Sequence, residues 1–311
     1  MSLLEIRGLR KVYRDVVAVD GVDFTVEEGE VFGLLGPNGA GKSTTISMIS
    51  GLVRPTGGTI LLRGEDVTKT PDRMKEILGL VPQDVALYPT LTARENLFFW
   101  GRMYGIGGEQ IKKRVEQALE YAGLVERANG RIDTYSGGMK RRINIAAALV
   151  HRPELLIMDE PTVGIDPQSR SHILETVLAL NEEGITVIYT SHYMEEVEHL
   201  CTRIAIMDRG KMIACGTKDE LRHIAGDADT VNVSVSEVAP ATIEELRSIP
   251  DVTHVTSLNG TVSVLVTDGA EKVSRILDVF KRGGSRVKSV SIEEPNLESV
   301  FLRLTGRALR D

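Results

Sequence analysis

The chain has 311 residues, of which 42% are hydrophobic and 26% charged, and its formal net charge is −7. This length favours one large domain with a smaller one, and the composition is typical of a globular protein. No apolar run reaches the roughly 18 residues that span a bilayer, the charged N-terminus predicts no signal peptide, and the negative net charge argues against nucleic acid as the main partner.

The first segments of the chain alternate polar and apolar residues and turn over at glycines. They are LEIRGLRKVY, VVAVDGVDFTV and GTILLRGEDV, and they predict a small antiparallel sheet. From VFGLLG onward, short apolar strands alternate with helices through LGLVP, LLIMD, TVIYTS and RIAIMD. This alternation predicts an α/β fold with a mainly parallel sheet covered on both faces. Residues 92–123 read as a helical stretch, and residues 88–152 as a helical lobe.

The first candidate site is GPNGAGKST, which follows the strand VFGLL and precedes a helix. It matches G-x-x-x-x-G-K-[ST], a loop whose glycines let backbone N–H groups close around phosphate oxygens. Lys42 places a positive charge at the β- and γ-phosphates, and the Ser43 hydroxyl is sited to bind Mg²⁺. The predicted nucleotide-binding residues are Gly36, Pro37, Asn38, Gly39, Ala40, Gly41, Lys42, Ser43 and Thr44.

Two acids end the apolar strand in ELLIMDEPT, residues 154–162. Carboxylates at the carboxyl end of a parallel strand lie in the crevice where such sheets bind ligands. We therefore expect Asp159 to hold Mg²⁺ through its water shell, and Glu160 to polarise the attacking water as general base. Without the phosphate loop upstream, such a pair would more often be a solvated strand end.

A second candidate phosphate site lies in TYSGGMKRR, residues 134–142. The turn Ser136-Gly137-Gly138 leads into a helix, where free N–H groups and the positive end of the helix dipole favour anions. The basic residues that follow fit a solvated helix face, with partner contact as the lesser alternative: Lys140, Arg141 and Arg142.

The composition shifts at HIAGDADT, residues 223–230, which predicts a linker between a domain of residues 1–225 and another of residues 230–311. Beyond it the order is strand, helix, strand, strand, helix, strand, with one final helix. This order predicts a small α+β domain of the ferredoxin-like kind.

In chain order, the motifs are the phosphate loop, Gln83 in VPQD, the YSGGM turn, the strand with two acids, Asp166 in GIDP and His192 in YTSH. Over residues 3–222 this order resembles the ATP-binding cassette (ABC) ATPases, the nucleotide-hydrolysing subunits of ABC transporters. The resemblance implies a P-loop NTPase core that hydrolyses ATP with Mg²⁺. It also implies a head-to-tail homodimer bound to transmembrane permease subunits.

The resemblance assigns roles to four further residues. Tyr13 stands where the family stacks an aromatic ring on adenine, although an ordinary edge-strand aromatic is the alternative. Gln83 matches the glutamine that reaches the metal and the attacking water and links to the membrane subunit. Asp166 matches the aspartate of the loop that crosses to the partner, and it also fits a helix N-cap before Pro167. His192 matches the histidine that contacts the γ-phosphate.

The resemblance also gives the Ser136-Gly137-Gly138 turn a role. In the family, this turn closes over the γ-phosphate held by the partner chain, so that each of two sites is built from both protomers. Here Tyr135 replaces the commoner leucine and Met139 the commoner glutamine. The form YSGGM followed by basic residues resembles the branch that serves ABC-2-type exporters.

The end of the chain, EEPNLESVFLRLTGR, resembles the accessory domain of daunorubicin-resistance-type ATPases. The alternative is a generic amphipathic closing helix, because Leu297, Val300, Phe301 and Leu304 fall on one face. We expect this domain to serve dimer stability or regulation rather than catalysis.

The sequence is therefore interpreted as the ATPase subunit of an exporter, peripheral to the cytoplasmic face of the cell membrane. One alternative is an ABC ATPase that acts on ribosomes or DNA, but these carry two cassettes or a long coiled coil. The other is a module that holds ATP without turnover, against which Glu160 and His192 argue. The transported substrate and the direction of transport stay open, because the substrate would contact the membrane subunit.

Overall fold

The computed structural model describes residues 2–225, 228–258, 260–293 and 296–306. The chain divides into two compact units, residues 1–215 and 216–311. The predicted linker at 223–230, the turn at 258–260 and the terminal motif at 293–307 each include residues outside the described ranges. The predicted domain limits near residues 225 and 230 stay a prediction.

The elements of the first unit alternate along most of its length. Its strands are β1 (Ser2–Tyr13), β2 (Val16–Glu27), β3 (Val31–Leu35), β4 (Gly57–Leu62), β5 (Glu65–Asp66), β6 (Leu78–Val81), β7 (Leu155–Asp159), β8 (Thr186–Ser191), β9 (Arg203–Asp208) and β10 (Lys211–Thr217). Its helices are α1 (Lys42–Ile49), α2 (Asp72–Ile77), α3 (Ala93–Met103), α4 (Gly108–Tyr121), α5 (Gly137–Leu149), α6 (Pro167–Glu182) and α7 (Met194–Leu200).

The central sheet has the strand order β10-β9-β3-β8-β7-β6. The adjacent strands from β9 to β6 pair in parallel. In the pairing of β7 with β8, Asp159 lies opposite Thr190. Every residue of β3, β7 and β8 is buried. Continuous apolar strands buried on both faces are typical of a parallel sheet covered by helices, so the α/β prediction is confirmed.

A second sheet, in the order β2-β1-β4-β5, is antiparallel. Its apolar face packs on α1 and the central sheet in one core, within which the rings of Phe24 and Phe32 stack at 5.1 Å. The alternating segments at the start of the chain therefore form the antiparallel sheet that their pattern predicts.

Helices α3, α4 and α5 share a separate apolar core and form the helical lobe. The helical stretch predicted over residues 92–123 contains two helices, α3 and α4. The chain leaves the helix after Met103, and Gly105 takes a positive φ of 75°, which other residues rarely adopt. The stretch therefore folds as two helices that pack against each other.

The second unit contains β11 (Ala228–Val235), β12 (Val252–Leu258), β13 (Thr261–Thr267) and β14 (Val287–Glu293). Its helices are α8 (Lys218–Ala225), α9 (Pro240–Arg247), α10 (Gly269–Arg282) and α11 (Leu297–Thr305). The sheet order is β12-β13-β11-β14, and all of these pairs are antiparallel. This is the predicted ferredoxin-like arrangement, and α11 packs against α8.

In the closing helix α11, Leu297, Val300 and Phe301 are buried as their spacing predicts. Leu304, predicted on the same face, is 38% exposed. Across the described parts of both units, the helices include none that is long and apolar enough to cross a membrane.

Candidate functional site

Four adjacent parallel strands end at the same edge of the central sheet, and each carries a predicted site residue. The loop from Gly36 follows β3, and His192 follows β8. Asp159 ends β7, and Gln83 lies two residues beyond β6. In open α/β sheets this edge is where ligands bind. The fold therefore brings together motifs that are far apart in the sequence.

The phosphate loop is held open by its glycines. Gly39 and Gly41 have positive φ values of 80° and 104°, and a Cβ on Gly41 would lie 2.7 Å from the Ala18 carbonyl oxygen. A Cβ on Gly36 would collide with the carbonyl oxygen of Met207. The loop borders a cavity of about 450 Å³, which is large enough for a small ligand. The residues lining it are Val16, Val17, Ala18, Asn38, Gly39, Ala40, Gly41, Lys42, Ser43, Thr44, Gln83, Glu160, Arg209 and Gly210.

Lys42 is buried at the base of this cavity with its ammonium group fully engaged. Nζ donates to the carbonyl oxygens of Gly36 at 2.7 Å and Pro37 at 3.2 Å, and it lies 3.0 Å from Glu160 Oε1. Because both side chains are about 95% buried, the loop carbonyls and the carboxylate compensate for the loss of water around the lysine.

Glu160 is the point where the predicted residues meet. Its Oε1 faces Lys42, while its Oε2 lies 3.5 Å from Gln83 Nε2 and 3.4 Å from His192 Nδ1. These three neighbours come from the start of α1 and from the segments after β6 and β8, so only the tertiary fold brings them to one carboxylate. The constellation offers positive charge, hydrogen-bond donors and a buried carboxylate at the edge of a phosphate-loop cavity.

The backbone at Glu160 is in a rarely populated conformation, with a φ of +46°. Residues other than glycine persist there only when the surroundings hold them, and such residues cluster at functional sites. Here Glu160 N donates to Thr190 Oγ1 at 2.9 Å, and the Thr190 hydroxyl donates to Asp159 Oδ1 at 2.6 Å. Thr190 thus fixes both acids at once.

The Ser136-Gly137-Gly138 turn opens α5. Ser136 is the N-cap, and its Oγ accepts from Met139 N at 3.2 Å. Gly137 has open space around it, whereas a Cβ on Gly138 would lie 2.5 Å from the Cβ of Ser169. The turn is not among the residues that line the cavity at the phosphate loop.

Asp166 caps α6, and its Oδ1 accepts from Ser169 N at 2.9 Å. This hydrogen bond holds the pKa of the Asp166 carboxyl below its usual value. Tyr13 ends β1, 45% exposed, with Lys11 Nζ 4.9 Å from its ring centroid, and it too lies outside the cavity lining. Its adenine contact stays a prediction.

The expectation of a solvated basic face after the turn is wrong for Arg141. This side chain is buried, and its guanidinium donates to Pro82 O at 2.8 Å and to Gln83 O. Arg142 donates to Ala122 O at 2.9 Å, and burial lowers the pKa of both guanidinium groups. The sequence alone does not show which of these consecutive basic side chains faces the loop that carries Gln83.

Sequence reasoning also missed Thr190 and Arg209. Thr190 contacts the acids only because β7 and β8 pair with Asp159 opposite it, and that register is set by the sheet. Arg209 lines the cavity from the turn after β9, with a positive φ of 47°. Neither residue belongs to a local pattern that would single it out.

The predicted magnesium ligands are all hard oxygen donors: the Ser43 hydroxyl, the Gln83 amide and the Asp159 carboxylate. Ser43 and Gln83 line the cavity, and Asp159 is directly beside Glu160. Among the described residues there is no cluster of three or more His, Cys, Asp or Glu side chains that would make a metal cage. A donor set of this kind fits Mg²⁺, which keeps several waters and takes further oxygens from phosphate.

Comparison with known proteins gives two family matches. Residues 19–163 match the family described as ABC transporter, and residues 216–305 match the C-terminal domain of ATP-binding proteins like DrrA1-3.

Relatives match over the full length. The chain is 53% identical over 311 residues to the linearmycin resistance ATP-binding protein LnrL of Bacillus subtilis, covering 99% of this chain and 100% of that protein. It is 41% identical to the Nod factor export ATP-binding protein I of Cupriavidus metallidurans, covering 100% and 99%. A dimeric ATP-binding cassette, MJ0796, in a post-hydrolysis state bound to ADP and Pi, is similar in structure. It has a TM-score of 0.64 and 28% identity over 69% of this chain and 98% of that one.

Proposed function

Since this chain belongs to the ATP-binding subunits of ABC transporters and is an ATPase of an exporter family, we propose that it works as a head-to-tail homodimer. The dimer closes on two ATP molecules and drives separate transmembrane subunits. ATP binding shifts the equilibrium toward the closed dimer only as far as ATP prefers that state. Hydrolysis to ADP and phosphate removes this preference and reopens the dimer.

One observation carries the catalytic part of the proposal: Lys42, Gln83 and His192 all lie within 3.5 Å of the Glu160 carboxylate. A general base must be held within reach of the water whose proton it takes, and charge that develops on the phosphates must meet fixed donors. The convergence places a carboxylate and fixed donors together at the phosphate-loop cavity.

In the proposed mechanism, the loop N–H groups and Lys42 hold the β- and γ-phosphates of ATP. Glu160 accepts a proton from the water that attacks the γ-phosphorus. The bond between the γ-phosphorus and the oxygen that bridges it to the β-phosphate breaks, and ADP and inorganic phosphate are released. His192 donates to a γ-phosphate oxygen, and Gln83 helps to orient the water.

Mg²⁺ is proposed as the cofactor, because the oxygens of Ser43, Gln83 and Asp159 fit it. When bound, the ion neutralises charge that develops on the phosphate oxygens. The Thr190 hydroxyl donates to Asp159 Oδ1, so Asp159 Oδ2 would be the oxygen that accepts from a water bound to the metal.

The dimer is proposed because the Ser136-Gly137-Gly138 turn lies outside the cavity at the phosphate loop of its own chain. Its capped helix N-terminus and the open space at Gly137 suit an anion that arrives from a neighbouring molecule. In a two-fold dimer each ATP would then lie between one chain's loop and the other chain's turn, with Asp166 at the same crossing.

Transmembrane permease subunits are proposed as the second partner, at the cytoplasmic face of the membrane. Exposed apolar residues follow Gln83, with Val85 39% and Tyr88 45% exposed. The ring of Tyr88 packs edge-on against that of Phe99 on α3 at 4.7 Å. An exposed aromatic group on the segment that follows a site residue is suited to a protein contact that senses the state of that site.

The test is Glu160→Gln, which removes the charge and keeps the shape. We expect ATP binding to persist and kcat to fall by about a hundredfold or more, because general bases contribute factors of that size. The variant should accumulate as an ATP-bound dimer in light scattering. The exposed Glu175, changed to Gln, is the matched control. Turnover of Glu160→Gln near that of the control would remove Glu160 from the role of base.

A further inference from the structure

Glu196 on α7 is a buried carboxylate with no part in the proposed chemistry. Its side chain is 0% exposed, and its Oε2 accepts three hydroxyl hydrogen bonds. The donors are Thr162 Oγ1 at 2.9 Å, Tyr189 OH at 2.9 Å and Ser191 Oγ at 3.0 Å. Three hydroxyls directed at one oxygen make it the centre of a buried polar cluster.

The other oxygen, Oε1, forms an ion pair with Arg170 Nε at 2.7 Å, in a geometry that falls short of a hydrogen bond. The Arg170 guanidinium also lies 5.1 Å from the ring of Tyr193, over its face. Arg170 is in the first turn of α6, where its N–H donates to the carbonyl of Asp166. A buried charge with these partners is compensated, so the cluster is an ordered part of the fold.

Two partners of Glu196 lie close in sequence to residues of the proposed site. Thr162 is two residues after Glu160, and Ser191 directly precedes His192. Ser191 Oγ donates to Glu196 and also accepts from Tyr193 N at 2.9 Å, so one hydroxyl ties down the chain on both sides of His192. Glu196 therefore links the segments that carry Glu160, His192 and the Asp166 cap.

We propose that Glu196 is a positioning residue for ATP hydrolysis. Through Ser191 it holds the His192 ring near the Glu160 carboxylate, and through Thr162 it holds the segment that follows Glu160. The inference rests on the proposed roles of Glu160 and His192. It goes beyond them because no chemical step uses Glu196.

The experiment separates positioning from simple structural support with a signal that belongs to His192. The full-length protein is labelled with ¹³C-histidine for NMR spectroscopy. The ring signal of His192 is assigned as the one that is missing from the spectrum of His192→Gln. Ser191→Ala removes the hydrogen bonds that hold the chain around His192, whereas Thr162→Val leaves Ser191 in place and removes the hydrogen bond that holds the segment after Glu160. Glu196→Gln changes the whole cluster, and the exposed Glu175 on α6, changed to Gln, is the matched control outside the cluster.

We expect Ser191→Ala and Glu196→Gln to shift or broaden the His192 signal and to lower kcat about ten- to hundredfold, the size of effect that small misplacements cause. ADP affinity should stay the same, because ADP lacks the γ-phosphate that His192 contacts. Thr162→Val should lower kcat without moving the His192 signal. Glu175→Gln should match the wild type in both measurements.

An unmoved His192 signal in Ser191→Ala, with kcat within about twofold of the wild type, would overturn the proposal. Loss of ATP and ADP binding together, with a lower melting temperature, would show a structural role alone and overturn it too. Failure of the proposed function looks different, because His192→Gln and Glu160→Gln would then themselves hydrolyse ATP normally. If Glu196→Gln does not fold, Ser191→Ala still decides.

Discussion

Gly137 and Gly138 are neighbours at the start of α5, but their surroundings differ. Among the described residues, no atom outside its own helix backbone and chain neighbours would lie within 4 Å of a Cβ on Gly137. A Cβ on Gly138 would meet the side chain of Ser169, and it would lie 2.8 Å from Asp166 Oδ2. Glycine at 138 is therefore required by packing within one chain, whereas glycine at 137 has no such reason. An open glycine at a helix N-terminus is suited to the close approach of a ligand.

Alanine at each position should separate the two cases. Gly138→Ala should lower the free energy of unfolding by about 1–3 kcal/mol, because the added methyl group overpacks the contact with Ser169. Gly137→Ala should leave it unchanged or raise it by less than about 1 kcal/mol. Urea denaturation followed by circular dichroism measures both. Equal effects of the two substitutions would contradict the packing difference.

Which residues form the candidate site could largely be predicted from local signals. The phosphate loop, the acids after β7 and His192 after β8 each stand at the end of an apolar strand, where a parallel sheet exposes them. Thr190, Arg141 and Glu196 could not be found in this way. Their contacts depend on strand register and helix rotation, which one sequence does not encode locally.

At the scale of elements, α5 is fastened to β6 near both of its ends. Near its start, Arg141 donates to the carbonyls of Pro82 and Gln83, just after β6. Beyond its end, His151 Nε2 hydrogen-bonds Leu78 O, the first residue of β6, at 3.0 Å. The turn that opens α5 and the loop that carries Gln83 are therefore mechanically linked within one chain.

The His151 contact makes the stability of this junction depend on pH. The ring stacks on Tyr104 at 3.7 Å, and burial, together with nearby Arg114, lowers the pKa of His151 to about 4. The pKa in the unfolded chain is about 6.5, so between these values the unfolded chain binds the proton and the folded chain does not. Stability therefore falls as the pH drops from about 6.5 toward 4, and above 6.5 the effect vanishes.

Comparison with His151→Gln tests this expectation. Between pH 7 and 5, the wild type should lose about 1 kcal/mol more stability than the variant. A full pKa unit corresponds to about 1.4 kcal/mol, and the partial exposure of the ring reduces the effect. Urea denaturation at several pH values measures it, with the exposed His199, changed to Gln, as the control. Parallel pH profiles for the wild type and His151→Gln would show that His151 titrates normally.

The elements themselves were predicted best where the pattern was long and buried. The parallel strands and the ferredoxin-like order follow from apolar runs and their spacing. The break between α3 and α4 was not located within the predicted helical stretch, although Gly105, Gly107 and Gly108 mark it in the sequence. Helix α2 was missed as well, since DRMKEI is six residues long, has four charges and buries only Met74. Such a helix is set by tertiary packing rather than by its own periodicity.

At the scale of the whole molecule, the proposal divides each ATP site between two chains. Complementation between two inactive variants tests that division. Lys42→Ala removes the positive charge of the phosphate loop. Gly137→Asp puts a carboxylate where the turn would meet the γ-phosphate, and the open space there, together with the helix dipole, lets the variant fold. Gly138→Asp is a poorer choice because it would also disturb Ser169.

Each homodimer should capture ATP weakly, since both of its sites carry one lesion. After subunit exchange, about half of the dimers are mixed, and about a quarter of all sites combine an intact loop with an intact turn. Nucleotide trapping should therefore recover in the mixture. Without recovery, and with exchange confirmed by a labelled subunit, each chain would hold a complete site of its own.

The contact between Gly138 and Ser169 also limits how this chain can vary or be redesigned. The two positions are matched in size, so bulk gained at 138 has to be lost at 169. A graft of residues 134–142 into another cassette therefore carries a hidden requirement for a small side chain on the facing helix. Without it, the inserted turn would push against the cap of that helix, and Asp166 would lose the backbone N–H that orients it. A graft would therefore have to include both the turn and the start of α6.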